Sequence, residues 1–161
     1  MIVWRLQPEH AEEWRRIRLQ ASKDAPESFE ETYDDWADRP LADFAARLSS
    51  ARVFAAGTHR GRALAIAGCV PGLDLRDASR GWVVSVFTRP EARGRGLAGA
   101  VIQTIMSDAA MRGMTSLGLH VVASNATAIA LYERLGFRDS GQTGIVSSRG
   151  LPEIEMLRVL S

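Results

Sequence analysis

Short apolar runs broken by turns alternate along this chain with longer amphipathic stretches, and the two periods predict different elements. Ile2-Val3-Trp4-Arg5-Leu6 reads as an opening strand stopped by Pro8. Residues 9–22 set Trp14, Ile17, Leu19 and Ala21 among Glu and Arg, the spacing of a helix with one buried face. Leu41 to Leu48 resumes that pattern behind Pro40, a residue suited to the first turn of a helix. Val53 to Ala56 and Ala63 to Val70 read as strands turned at His59-Arg60-Gly61, and a second turn at 77–81 leads to a third strand, Trp82 to Phe87. Gly96 to Met111 is an apolar helix stopped by Gly113. Leu117 to Val122 is a strand, and Asn125 caps a helix that runs to Leu135 and ends at Gly136. Residues 141–152 form a Gly- and Ser-rich loop, and Ile154 to Leu160 is a closing strand. Neither a repeat nor a linker interrupts this order, so residues 1–161 are expected to form a single domain. Helices, an antiparallel meander and then strand–helix pairings predict an α/β (α+β) fold built on a mixed sheet.

Charge and composition narrow the function. The formal net charge is +1, which gives no global field toward nucleic acid or a membrane surface. No apolar run is long enough to span a bilayer, and no basic segment followed by an apolar stretch opens the chain. A single Cys, Cys69, excludes an intramolecular disulfide, and with three His there is no Cys/His cluster at metal spacing. A cytoplasmic protein without a metal is expected, and Cys69, in an apolar strand, reads as a buried structural thiol. Lys23 is the only lysine, so lysine Schiff-base chemistry is excluded unless Lys23 serves it. An acidic run (Asp24, Glu27, Glu30, Glu31, Asp34, Asp35, Asp38) reads as a solvated face or as a negative rim for a cationic substrate. His10 and His59, at a helix start and in a turn, are expected at the solvated surface.

Arg93-Gly94-Arg95-Gly96-Leu97-Ala98-Gly99 lies between a strand and a helix, where backbone N–H groups and the positive end of the helix suit an anion. It is not a P-loop, because no Gly-Lys-Ser/Thr follows. Gly94, Gly96 and Gly99 satisfy G-x-G-x-x-G literally. Thr88 to Ala92 nevertheless separate the strand from the turn, and the next strand ends in Val121-Val122-Ala123 without the acid a dinucleotide site needs, so an oxidoreductase is disfavoured. A tight turn needed only for helix packing remains open.

Residues 84–98 resemble motif A of the GNAT superfamily of acyl-CoA-dependent N-acetyltransferases, whose Arg/Gln-x-x-Gly-x-Gly/Ala turn is met by Arg93, Gly96 and Ala98. Asn125 to Phe137, with Asn125, Leu131-Tyr132-Glu133 and Gly136-Phe137, resembles motif B at the family's spacing. Together the motifs cover residues 82–138. The resemblance implies a GNAT-like, mostly antiparallel central sheet flanked by helices, whose parallel strands 82–87 and 117–122 splay apart. It implies acetyl-CoA as acyl donor, with the pantetheine arm held by main chain at Val86, Phe87 and Thr88. The pyrophosphate would be wrapped by Arg93, Gly94, Arg95, Gly96, Leu97, Ala98 and Gly99, with Asn125 a further contact as well as a helix cap.

The resemblance also implies Tyr132 as the acid for the departing thiolate and a backbone N–H near Val86 or Phe87 as oxyanion donor. Many family members place Glu on the strand before the turn, where this chain has Ser85. Five residues before the motif B Asn, some ribosomal-protein N-terminal acetyltransferases carry a basic Glu; here that position is His120. His120 or water is the general base. The expected acceptor is a small-molecule or peptide amine bordered by residues 20–40, Trp36 among them, and by the 141–152 loop. A homodimer is compatible with this reading. A GNAT-like domain that only binds acyl-CoA, as sensor or scaffold, is the alternative.

Overall fold

The structure is a computed structural model and describes residues 1–72 and 74–161. Seven strands form one sheet: β1 (Ile2–Leu6), β2 (Arg52–Gly57), β3 (Ala65–Pro71), β4 (Arg80–Thr88), β5 (Ser116–Val122), β6 (Arg138–Asp139) and β7 (Glu153–Val159). Their spatial order is β1-β2-β3-β4-β5-β7-β6, and every neighbouring pair is antiparallel except β4 and β5. Five α-helices among the described residues accompany them: α1 (Ala11–Asp24), α2 (Tyr33–Trp36), α3 (Leu41–Ser50), α4 (Leu97–Met111) and α5 (Ala126–Arg134).

Strand alternation divides the core in two. Phe54 and Ala56 of β2, with Ala65, Ala67 and Cys69 of β3, pack with Val101, Ile102 and Ile105 of α4. Val53, Ala55 and Ile66 point the other way, to Trp14 and Ile17 of α1 and Phe44 and Leu48 of α3. With helices on both faces, the central strands are nearly continuous apolar runs.

Several elements differ from the expectation, β6 among them, which has no counterpart in it. The first helix opens at Ala11, because Pro8–His10 forms a separate 3-10 turn, and His10 there is half-buried, accepting a hydrogen bond from Gln7 N at 2.9 Å. The acidic run holds α2, started by a capping box in which Thr32 and Asp35 bond each other's backbone N–H. Trp36 on α2 is 2% exposed and meets Trp14 and Phe44 edge-on, so it belongs to the core and does not border the cleft. Finally, β4 opens at Arg80 and not at Trp82, because Arg80 pairs with Ser116 in the parallel ladder.

Candidate active site in the splayed sheet

The parallel ladder lasts three residue pairs, Arg80–Ser116, Gly81–Leu117 and Trp82–Gly118, and then β4 and β5 part. Two local features open the gap. Trp82 stands on Gly118, where a Cβ would come within 2.7 Å of the indole, so only glycine admits the ring. On the other edge the register of β3 with β4 slips between Ile66–Phe87 and Gly68–Val84, a bulge carrying Ser85 at φ 58°, the one described non-glycine residue in the left-handed region. The result is a cleft of about 1270 Å³.

One wall is main chain. Val86, Phe87 and Thr88 line it at the bulge, and Arg93, Gly94, Gly96, Leu97, Ala98 and Gly99 line it at the turn into α4. Gly94 and Gly96 lie at φ 77° and 76°, and a Cβ on either would meet no atom within 4 Å. A side chain there would enter the open space that a phosphate needs. Gly96 is the N-cap of α4 and no side chain caps that helix, so its first N–H groups remain available at the positive end of the dipole. These features fit the pyrophosphate and arm of acetyl-CoA. Arg95 alone of the residues expected to hold acetyl-CoA does not line the cleft, and its guanidinium donates to Glu91 O at 3.2 Å. Asn125 lines the cleft and caps α5, its Oδ1 accepting from Ala128 N at 3.1 Å.

Tyr132 lies in the same cleft, 7% exposed, with its ring edge-on to Phe137. Burial pushes its phenol up to about 12, so the hydroxyl keeps its proton at neutral pH. Cys69 is buried and its thiol is likewise pushed up by burial, to about 11.

The opposite wall is built from side chains. His120 of β5 projects to the face away from α4, its ring 5.1 Å from Trp82, and its Nε2 lies 3.1 Å from Glu155 Oε2 on β7. Glu155 is 2% exposed. Burial raises its carboxyl, but hydrogen bonds from Arg76, His120 and Ser140 together outweigh this and the net shift is downward. A carboxylate only accepts, so Nε2 carries a proton, and in the neutral ring Nδ1 is the free lone pair. Arg76 Nη2 donates to the same oxygen at 2.9 Å, Asp74 holds Arg76 through two further bonds, and Arg80 Nη1 donates to Asp74 at 2.9 Å. Glu155 Oε1 is buried without a partner.

Arg76, Asp74 and Glu155 were not anticipated. Glu155 left a trace in the alternation Glu153-Ile154-Glu155-Met156, which sets both acids on the face of His120; Arg76 and Asp74, on a loop, left none. From residues 20–40 the cleft receives Ala25 and Glu27 to Glu31, whereas the 141–152 loop lines only a small neighbouring depression, through Ser147 to Arg149.

Family comparison agrees with this geometry. The acetyltransferase (GNAT) family model matches residues 9–137, and the chain belongs to that family. It is 43% identical over 56 residues to the [ribosomal protein bS18]-alanine N-acetyltransferase of Escherichia coli, a match covering 35% of this chain and 38% of that relative. It is 36% identical over 58 residues to an L-methionine sulfoximine/L-methionine sulfone acetyltransferase of Pseudomonas paraeruginosa, covering 36% and 34%. The chain thus spans little more than a third of the curated relatives it matches. A ribosomal-protein-alanine N-acetyltransferase structure from Brucella melitensis shares the fold, with a TM-score of 0.82 over 99% of this chain and 100% of that one at 19% identity. No helix among the described residues is long and apolar enough to cross a membrane.

Proposed function

We propose that this protein transfers the acetyl group of acetyl-CoA to a primary amine by direct attack. Acetyl-CoA would supply a thioester, whose carbonyl carbon forms the new C–N bond as the C–S bond breaks. The turn at 93–99 holds the pyrophosphate through backbone N–H groups, and Val86 to Thr88 hold the arm as a strand would. His120 takes the amine proton on Nδ1, with Glu155 fixing its tautomer and facing the positive charge it acquires. A backbone N–H at Val86 or Phe87 faces the negative charge that develops on the acetyl oxygen. Tyr132 gives its proton to the leaving sulfur and regains one, through solvent, from His120. The balance is amine plus thioester to amide plus thiol.

One observation carries this reading: an uncapped glycine turn, a protonated phenol and a carboxylate-held imidazole line a single cleft where the sheet parts. The acceptor is a small-molecule or peptide amine and the site of action the cytoplasm, with no nucleic acid or membrane partner. The test is thiol release from acetyl-CoA on adding a panel of amines. Release above background supports catalysis, whereas acetyl-CoA binding without release from any amine would make the domain a binding module.

A further inference from the structure

The buried face of α1 carries Ala11, Trp14, Ile17, Arg18, Ala21 and Ser22. Arg18 follows Trp14 by four residues and precedes Ala21 by three, so it occupies a position where helical spacing calls for a hydrophobe. It is 4% exposed. Its Nη1 donates to Ser22 Oγ, and its guanidinium lies 4.3 Å from the centroid of the Phe29 ring. Neither partner carries a negative charge. Among the described residues no carboxylate comes within 4.0 Å of it. Glu31, the acid that most favours its charge, is already taken by Arg47 at 2.9 Å and by Trp36 Nε1. Burial lowers the guanidinium to about 10, still fully charged at neutral pH.

A cation largely withdrawn from water, facing a cleft and left without a counter-ion, is unfavourable, and such a group persists where a ligand completes it. Arg18 lines the cleft that holds Tyr132 and His120, and it stands on α1, a different element from the glycine turn that would seat phosphate. In the same cleft the β7 wall offers the opposite sign, Glu153 and Glu155. We infer that Arg18 receives a carboxylate of the acceptor, so that the acceptor is an amine bearing its own carboxylate, such as a free amino acid. The guanidinium fork matches two carboxylate oxygens at once, while the acidic wall draws the amine toward His120. This inference rests on the acetyltransferase reading above.

The experiment measures thiol release from acetyl-CoA by the full chain with L-amino acids, with their carboxamides, and with dipeptide carboxamides whose second residue is Asp or Glu. For the acceptor the site fits, kcat/KM should exceed that of its own carboxamide by about 10- to 100-fold, the range for a hydrogen bond between charged groups. Arg18→Met, which keeps an apolar stem in the stripe, should bring the pair within about threefold, with acetyl-CoA affinity unchanged by calorimetry. Should Arg18→Met not fold, Arg18→Lys, which keeps charge but loses the fork, should give a ratio between these. A preference confined to the acidic dipeptides supports the seat and assigns it to a side-chain carboxylate. Thiol release at equal rates from acids and carboxamides overturns the seat and leaves the acetyltransferase reading standing, as does an acid preference that survives Arg18→Met. No thiol release from any amine, with acetyl-CoA bound, overturns both.

Discussion

In the proposed reading the two walls of the cleft hold their ligands with different parts of the chain. On the α4 side the contacts are backbone: left-handed glycines, a strand bulge and a helix start that no side chain closes. On the β7 side they are side chains brought from the loop before β4, from β5 and from β7, locked by a chain of ion pairs from Arg80 to Glu155 that ends in the hydrogen bond with His120. A backbone seat tolerates nearly any side chain except where one would fill it, so it suits a ligand that never changes. A side-chain seat changes with one substitution, so the same fold can take a new acceptor without rebuilding its donor site.

The contrast is sharpest at Tyr132, a side chain serving the backbone-lined end. Tyr132→Phe keeps the ring and its packing and removes one proton. We expect kcat to fall about 10²- to 10⁴-fold while acetyl-CoA affinity stays within about threefold. Wild-type kcat under conditions where chemistry limits turnover would reduce Tyr132 to packing. Its titration has a definite sign. The folded phenol sits near 12, above the roughly 10 of an unfolded tyrosine. Its contribution to stability is therefore intact below about pH 10 and lost as pH rises through about 12. Denaturation curves of the Phe variant should lack that alkaline loss.

Gly96→Asp attacks the backbone wall. It places a carboxylate where nothing now lies within 4 Å, and Asp tolerates the left-handed region better than most residues. Acetyl-CoA affinity by calorimetry should drop on the order of 10²-fold, with circular dichroism unchanged. Unchanged affinity would remove the turn from the donor site.

The smallest effect is expected on the side-chain wall. Glu155→Gln keeps the shape but deletes the charge facing His120, and kcat should fall about 10- to 100-fold. The imidazole ¹⁵N shifts should show the Nε2-protonated tautomer giving way to a mixture. A retained single tautomer would mean that Glu155 does not hold the ring.

The same division governs what the sequence revealed. The backbone wall needs glycines at fixed spacing, a helix start and an Asn cap, all within residues 84–137, so local chemistry wrote it into a readable motif. β1 appears with the bounds its apolar run predicts, because period-2 burial is also local. The other wall is assembled by folding. An arginine on a helix reads as solvated, and only the register from Trp14 to Ala21 marks Arg18 as buried. α2 was hidden because the acids that cap it were indistinguishable from a charged surface run, and β6, two residues long, has no periodicity to read.

The parted strands have a further consequence, for how the protein behaves at high concentration. Beyond Trp82 and Gly118, β4 and β5 each turn one unpaired edge toward the gap, so a sheet that closes its other neighbours carries two raw edges at its centre. Proteins ordinarily confine such edges to the margins and blunt them with charge or cover, because any extended chain can pair there. Without its ligand this molecule offers a strand-shaped slot to a neighbour's unfolded segment. On the proposed reading, acetyl-CoA lying in that slot would cover both edges as well as react.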